Sequence, residues 1–298
     1  VIFFFRVLSA TTAKLERVFK LIALPFVILV FAFFILHGIG LGYRSYISGY
    51  APWSNGYEAV IFIAWATVLA GIIFIRKNPA VLAATVLLSG LMLMVTEMNL
   101  LDPEITPLQP VLKSYWLMIH VAIITASYGF LGLAAILGLL NLILFMVRTS
   151  SNGKRITMNV NELTAVNEMT MTIGLFMLTI GTFLGGVWAN ESWGRYWGWD
   201  PKETWALVSV LVYAVILHLR YIPGLNNRFL LNTVSFWGYS AILFTFFGVN
   251  FVLVGLHSYA QGDGVTEFPT WVIYTAIGFA VFNLLSLAAY LNYKKKKS

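Results

Sequence analysis

Long apolar runs restrict this chain to one kind of fold. The 298-residue sequence is 59% hydrophobic and only 10% charged, whereas water-soluble domains carry about 25% charged residues. The runs reach about 20 residues, the length that an α-helix needs to cross the hydrocarbon core of a bilayer. A helix also satisfies its own backbone hydrogen bonds where water is absent. The sequence therefore predicts an all-α integral membrane protein.

Eight such runs follow one another, and they predict about eight transmembrane helices. The spans cover residues 21–41, 57–75, 79–97, 115–147, 167–188, 204–222, 231–256 and 270–292. Residues 1–20 are first apolar and then amphipathic, which predicts an interfacial helix or part of an earlier span. Residues 21–298 are expected to form the transmembrane domain.

The distribution of Lys and Arg predicts the orientation, because cytoplasmic loops are enriched in both. With the N-terminus inside, only Arg44, Lys113, Arg195 and Lys202 of the 19 Lys and Arg residues fall outside. Both termini are therefore expected in the cytoplasm. Topology explains the net charge of +7, so nucleic-acid binding is not needed to explain it.

The outer loop between the fifth and sixth spans, residues 188–205, is rich in tryptophan. Trp193, Trp197 and Trp199 are separated by glycines, with Trp188 and Trp205 just outside them. Tryptophan belts form at membrane interfaces, and a belt explains the two outer tryptophans as well as a binding role does. Three indoles on one short loop are better explained as an aromatic floor for a flat, apolar ligand.

The end of this loop also predicts the start of the sixth helix. Asp200 is suited to the N-cap, Pro201 to the first helical position, and Glu203 to the third. This helix start explains all three residues without any ligand.

The four histidines lie in or at the ends of apolar spans, where ionisable side chains are rare and usually functional. His120 and His257 are predicted near the outer ends of the fourth and seventh spans, on the side of the tryptophan loop. Two neutral imidazoles can fill both axial positions of a haem iron while aromatic side chains hold the porphyrin.

The other two histidines are interpreted differently. His218 lies about 21 Å along the sixth span at 1.5 Å per residue, in the inner half of the membrane. It is either one ligand of a second, deeper haem or a residue hydrogen-bonded to a neighbouring helix. Packing or hydrogen bonding is the preferred interpretation of His37.

Taken together, these motifs resemble a known family. The run Trp193-Gly194, Trp197-Gly198-Trp199-Asp200-Pro201-Lys202-Glu203 resembles the WWD signature of the haem-handling superfamily in cytochrome c maturation. With the eight spans and the histidine placement, the chain resembles the CcsA (ResC) family of system II cytochrome c biogenesis. The segment Pro52–Glu58 is similar to that family's first outer loop.

The resemblance implies a function and a set of site residues. It implies that the chain exports haem b (iron protoporphyrin IX) and presents it outside the membrane to apocytochrome c. The two outer histidines would be axial ligands, the loop residues would belong to the haem-presenting domain, and the inner histidine would ligate a haem in the membrane. The expected residues are His120, His257, His218, Trp193, Trp197, Trp199 and Asp200.

The resemblance also implies partners and a location. A CcsB (ResB)-like membrane protein would supply the other ligand of the membrane haem, and the apocytochrome would carry a Cys-x-x-Cys-His motif. The chain has no cysteine, so a separate thioredoxin-like thiol reductant is expected. The chain would be a component of a cytochrome c haem lyase or synthetase in the bacterial cytoplasmic membrane, its haem site facing outwards, or in a thylakoid membrane.

Three alternatives stay open at this point. CcmC and CcmF of system I belong to the same superfamily. CcmC should have fewer membrane spans than this chain, and CcmF should be considerably longer. A membrane b-type electron-transfer subunit would need two complete histidine pairs at two depths, and only His218 is available at the inner depth. A solute transporter would leave the tryptophans as a belt, but the spans lack acidic residues at mid-membrane for ion coupling.

Overall fold

The structure is a bundle of antiparallel α-helices. The computed structural model describes residues 13–98, 101–108, 112–253, 255 and 269–296. These residues form helices and no β-strand, and eight of their helices are long and apolar enough to cross a membrane. The predicted all-α membrane fold is confirmed.

The eight long helices are numbered α1 to α8 along the chain. They are α1 Ala13–Ser48, α2 Gly56–Phe74, α3 Pro79–Thr96, α4 Tyr115–Met146, α5 Gly153–Trp193, α6 Pro201–His218, α7 Arg228–Leu243 and α8 Thr270–Lys295. A 3₁₀ segment, Leu219–Tyr221, follows α6. A π-helical segment, Phe244–Gly248, and a short α-helical turn, Val249–Phe251, prolong α7.

The connections alternate between two ends of the bundle. The tryptophan end carries the segments that join α1 to α2, α3 to α4 and α5 to α6. Contacts hold them together: the Arg44 guanidinium donates to the carbonyl of Pro103, and Tyr50 Oη donates to the carbonyl of Thr106. The opposite end carries the segments that join α2 to α3, α4 to α5 and α6 to α7.

Helix α5 extends well beyond the predicted fifth span. Its 41 residues are about 60 Å long, twice the thickness of the hydrocarbon core. Residues 153–166 are too polar to have been included in the predicted membrane span. They nevertheless form a helix because Ile156, Val160 and Leu163 recur at helical spacing and are buried in the core. Helix α1 likewise continues through residue 20 without a break.

Helix α4 is the centre of the bundle. In its most apolar window 78% of the residues are buried, against 0% in α1 and 6% in α8. It contacts α2, α3, α5, α7 and α8. The first and last helices, α1 and α8, therefore lie at the periphery, and α4 lies at the centre of the bundle.

Small and polar side chains let these helices approach closely. A Cβ atom at Gly138 of α4 would lie 2.6 Å from the Asn232 carbonyl oxygen of α7. Next to it, Asn141 Nδ2 and Asn167 Nδ2 both donate to Asn232 Oδ1, at 2.7 and 3.0 Å. Within lipid, such close contacts and interhelical hydrogen bonds drive helix association.

The close approach at Gly138 gives a matched pair of substitutions. We expect Gly138→Ala to lower the free energy of unfolding by about 1–3 kcal/mol, because the added methyl group must push α7 away. Gly90→Ala should stay within about 1 kcal/mol of the wild-type value, since a Cβ there meets nothing within 4 Å. Thermal unfolding in detergent measures both, and equal effects would contradict the packing described here.

Candidate functional site

A cavity of about 420 Å³ lies at the tryptophan end. It is enclosed by α2, α4, α5, α6 and the π-helical segment after α7, and its size is typical of sites for small molecules and cofactors. Residues that matter for its chemistry are Trp53, His120, Trp197, Lys202, Glu203 and Asn250. The cavity therefore joins parts of the chain that are far apart in sequence.

His120 lies on this cavity in the second turn of α4. Its Nδ1 atom is 2.6 Å from the carbonyl oxygen of Gly181 on α5. A carbonyl can only accept, so Nδ1 carries the proton and Nε2 carries the lone pair. Gly185 leaves room for the ring, since a Cβ there would be 2.7 Å from His120 Cε1. This is the tautomer and the support that metal-ligating histidines have in proteins.

The chain between α5 and α6, residues 194–200, is held by one carboxylate. Glu203 Oε2 accepts from the backbone nitrogens of Gly198 and Asp200, at 2.7 and 3.2 Å. Its other oxygen pairs with the guanidinium of Arg195 at 3.2 Å. Because the Glu203 carboxylate accepts from three donors of the loop, it holds the loop rigidly against the start of α6.

Asp200 caps α6 as predicted. Its carboxylate accepts from the backbone nitrogen of Lys202 at 3.1 Å, and with Glu203 it completes a capping box. The predicted helix start is thereby confirmed. Asp200 is buried beside the cavity.

The tryptophans form two edge-to-face pairs instead of one continuous floor. Trp193 packs on the buried Trp188 with ring centroids 4.8 Å apart, and Trp197 meets Trp199 at 5.7 Å. One member of each pair, Trp188 and Trp197, lines the cavity. Trp199 is therefore adjacent to a cavity-lining residue but does not itself line the cavity.

Trp199 has an unusual conformation. Among the described residues it is the one non-glycine residue with positive φ, at 57°, and its side chain is 69% exposed. A bulky residue in the left-handed region is strained, and exposure of an indole adds a solvation cost. Such strain accumulates at functional sites, where the surrounding structure enforces it.

The remaining predicted residues lie elsewhere or outside the described residues. His218 is the exposed last residue of α6 at the opposite end, and its Nδ1 is 2.6 Å from the carbonyl oxygen of Ala214.

His257 lies outside the described residues. Gly255, two positions earlier, packs against the start of α6, since a Cβ there would be 2.5 Å from Asp200 Oδ1. His37 is half-buried and lies near the backbone of Ile61.

Sequence reasoning missed several residues of the site. No binding role was predicted for Lys202, yet its Nζ reaches Asn250 Oδ1 at 2.8 Å on the edge of the cavity. Trp53 Nε1 donates to the carbonyl of Met118, two residues before His120, at 3.0 Å. The apolar seventh span contains two asparagines, Asn232 and Asn250, and the position of Asn250 towards the outer end, on the side of the tryptophan loop, is the signal that could have indicated it.

A second cavity of about 240 Å³ lies beside the first. Its lining is almost entirely apolar and comes from α2, α3, α4, α7 and the π-helical segment. Tyr128 and Phe246 line both cavities, and their rings meet edge to face at 6.3 Å. These two aromatic rings therefore lie between the two cavities.

Comparison with known proteins identifies similar sequences. The family described as cytochrome c assembly protein matches residues 53–257. Protein NrfI of Wolinella succinogenes is 48% identical over 242 residues, which are 81% of this chain but 27% of NrfI. The chain thus spans about a quarter of that relative.

Two other relatives are similar over most of their own length. The cytochrome c biogenesis protein CcsA of a Synechococcus species is 36% identical over 244 residues, 72% of this chain and 80% of that protein. The cytochrome c biogenesis protein CcsA of Prochlorococcus marinus is 33% identical over 293 residues, 84% of this chain and 92% of that protein.

The role of Glu203 as the loop anchor can be tested by proteolysis. Glu203→Ala removes three hydrogen bonds to the loop, each of which involves a charged group and is worth about 1.5–3 kcal/mol. We expect tryptic cleavage after Arg195 to become at least about tenfold faster, because the loop opens more often. Glu104→Ala, an exposed carboxylate at the same end, should leave the rate unchanged. An unchanged rate in the Glu203 variant would mean that the loop is held by other contacts.

Proposed function

Because this chain belongs to the cytochrome c assembly protein family, we propose that it exports haem b and presents it to apocytochrome c on the outer side of the membrane. In this role it is the CcsA part of a system II cytochrome c synthetase. The family predicted from the tryptophan loop is confirmed. Cytochromes c hold haem at a Cys-x-x-Cys-His motif, so haem is the cargo that their assembly requires.

The geometry of His120 is the observation that carries this proposal. Its ring is held by the hydrogen bond to Gly181 and by the close approach of Gly185. The imidazole lies on the wall of the cavity that Trp53 and Trp197 also line. A neutral imidazole with a defined tautomer is the form that ligates haem iron. The aromatic walls provide the flat apolar surface that a porphyrin needs.

We propose His257 as the second axial ligand of this outer haem. The position of Gly255 against Asp200 supports this, because it brings the segment that leads to His257 to the start of α6. Two imidazole ligands would occupy both axial positions and keep oxygen from the iron. The histidine of the apocytochrome motif would then displace one of them.

Attachment itself requires little chemistry from this chain. Each thiol of the apocytochrome adds across a vinyl group: a carbon–sulfur bond forms, and the thiol hydrogen goes to the other vinyl carbon. The chain binds and orients the haem and excludes water, while Trp197 and Trp199 border its outer edge. Because the chain has no cysteine, a separate thioredoxin-like protein must keep the apocytochrome thiols reduced.

His218 suits a shared site with a partner. It has the same arrangement as His120, with Nδ1 bonded to a carbonyl at 2.6 Å, but it lies exposed on the surface of the bundle at the opposite end. We propose that it ligates haem in the membrane together with a histidine of a CcsB-like partner. The machine would reside in the bacterial cytoplasmic membrane, or in a thylakoid membrane.

The ligand role of His120 has a direct test. We expect His120→Gly to lose most of the low-spin haem that copurifies with the chain and its partner, and added imidazole to restore part of it. The pyridine haemochrome spectrum measures the bound haem, and cytochrome c assembly in cells measures function. His37→Gly is the matched control and should retain haem. No haem in the wild-type complex supplied with haem would overturn the proposed function.

Trp199 allows function to be separated from stability. Trp199→Gly relieves the positive φ, so we expect the free energy of unfolding to stay equal or rise by up to about 1 kcal/mol. Haem retention should nevertheless weaken by about two- to tenfold through the loss of an aromatic contact. Trp271→Ala removes another exposed tryptophan, near the start of α8, and should not affect haem. Equal haem retention in the wild type and in both variants would contradict a haem contact of Trp199 and would favour a role as a membrane anchor.

A further inference from the structure

A lysine side chain lies on the wall of the cavity at the tryptophan end. Of the described residues that line it, Lys202 is the one lysine or arginine, and Glu203 is the one acidic residue. Lys202 Nζ donates to Asn250 Oδ1 at 2.8 Å, which joins α6 to the turn after α7. A lysine that only anchors the protein to a membrane surface extends towards water, whereas this one contacts a residue of the bundle interior.

The nearby carboxylates are engaged with other groups. Glu203 binds Arg195 and two backbone nitrogens, and Asp200 caps α6. In the part of the chain that the structure describes, no carboxylate lies within 4 Å of Lys202 Nζ. Asp200 attracts the ammonium group from a longer distance, but its carboxylate is already the cap of α6. The direct hydrogen-bond partner of Lys202 Nζ is a neutral amide, so an anion in the cavity would compensate the ammonium group more fully for its lost hydration.

We propose that Lys202 and Asn250 form a carboxylate-binding subsite of the cavity. On the premise of the proposed function, the carboxylate is a propionate of haem. The ammonium group supplies the charge, and Asn250, whose own Nδ2 donates to the carbonyl of Phe246 at 2.7 Å, holds it in place through Oδ1. The subsite orients the ligand as well as binding it, because it lies at one edge of the cavity.

The orientation follows from the other walls. Leu108, Leu112 and Met118 line the cavity from the segment before α4 and from α4 itself, and they offer no charge to a propionate. With the propionate edge at Lys202, the edge that carries the vinyl groups turns away from α6. The subsite would thus decide which edge of the haem the apocytochrome thiols meet.

Metal-free porphyrins test the subsite without any iron ligand. We propose to titrate the detergent-solubilised full-length protein with protoporphyrin IX and with its dimethyl ester, following the quenching of tryptophan fluorescence. The free acid should bind about ten- to a hundredfold more tightly than the ester, as expected for a charge-assisted hydrogen bond. This comparison within the wild-type protein needs no mutation that could disturb folding.

Variants then assign the preference to one side chain. Lys202→Met should remove the preference for the free acid, and Lys202→Arg should retain most of it. Lys113→Met, an exposed lysine at the same end, should behave as wild type. Equal affinities for acid and ester in the wild-type protein, or a preference that survives in Lys202→Met, would overturn the subsite while leaving haem binding through His120 intact. Failure of both porphyrins and of haem to bind would overturn the proposed function with it.

Discussion

The hydrocarbon core of a membrane offers the polypeptide backbone no hydrogen-bond partner, and the architecture follows from that constraint. Every predicted span became a helix, and the irregular segments lie at the two ends of the bundle. There, side chains satisfy the first backbone nitrogens of the helices. α2, α3, α6 and α7 each begin with a side-chain oxygen that accepts from the first turn, supplied by Asn55, Asn78, Asp200 and Asn227.

The same constraint shapes the site. Residues 194–200 have no regular secondary structure, and Glu203 accepts the hydrogen bonds that a helix would have made internally. The π-helical segment opposite is another departure from regular helix, of a kind that recurs at functional sites. Thr245, within it, donates to the carbonyl of Trp205 at 3.1 Å. The cavity lies between two irregular segments, each of which is held by side chains.

His120 and His218 have the same local hydrogen-bond arrangement at opposite ends of the bundle. Each donates Nδ1–H to a main-chain carbonyl, and each thereby has the lone pair on Nε2. One is enclosed by α4 and α5, while the other lies on the bundle surface. Under the proposed function, the enclosed His120 suits a site completed by the chain itself, and the exposed His218 suits a site completed by a partner. Gly181 belongs to a neighbouring helix, so the packing of α4 on α5 sets the ring orientation of His120. Ala214 lies one turn earlier on α6 itself, so the ring orientation of His218 is set within its own helix.

The sequence by itself determined the membrane class, the eight helices, the family and the cap at Asp200, because all of these depend on residues that are neighbours along the chain. The polar half of α5 was missed, since burial of Ile156 and Val160 depends on α4. Only the tertiary structure decided that His120 meets Gly181 and that Lys202 meets Asn250. The partners in those contacts are 61 and 48 positions apart along the chain. Their geometry depends on how helices pack, which local composition does not encode.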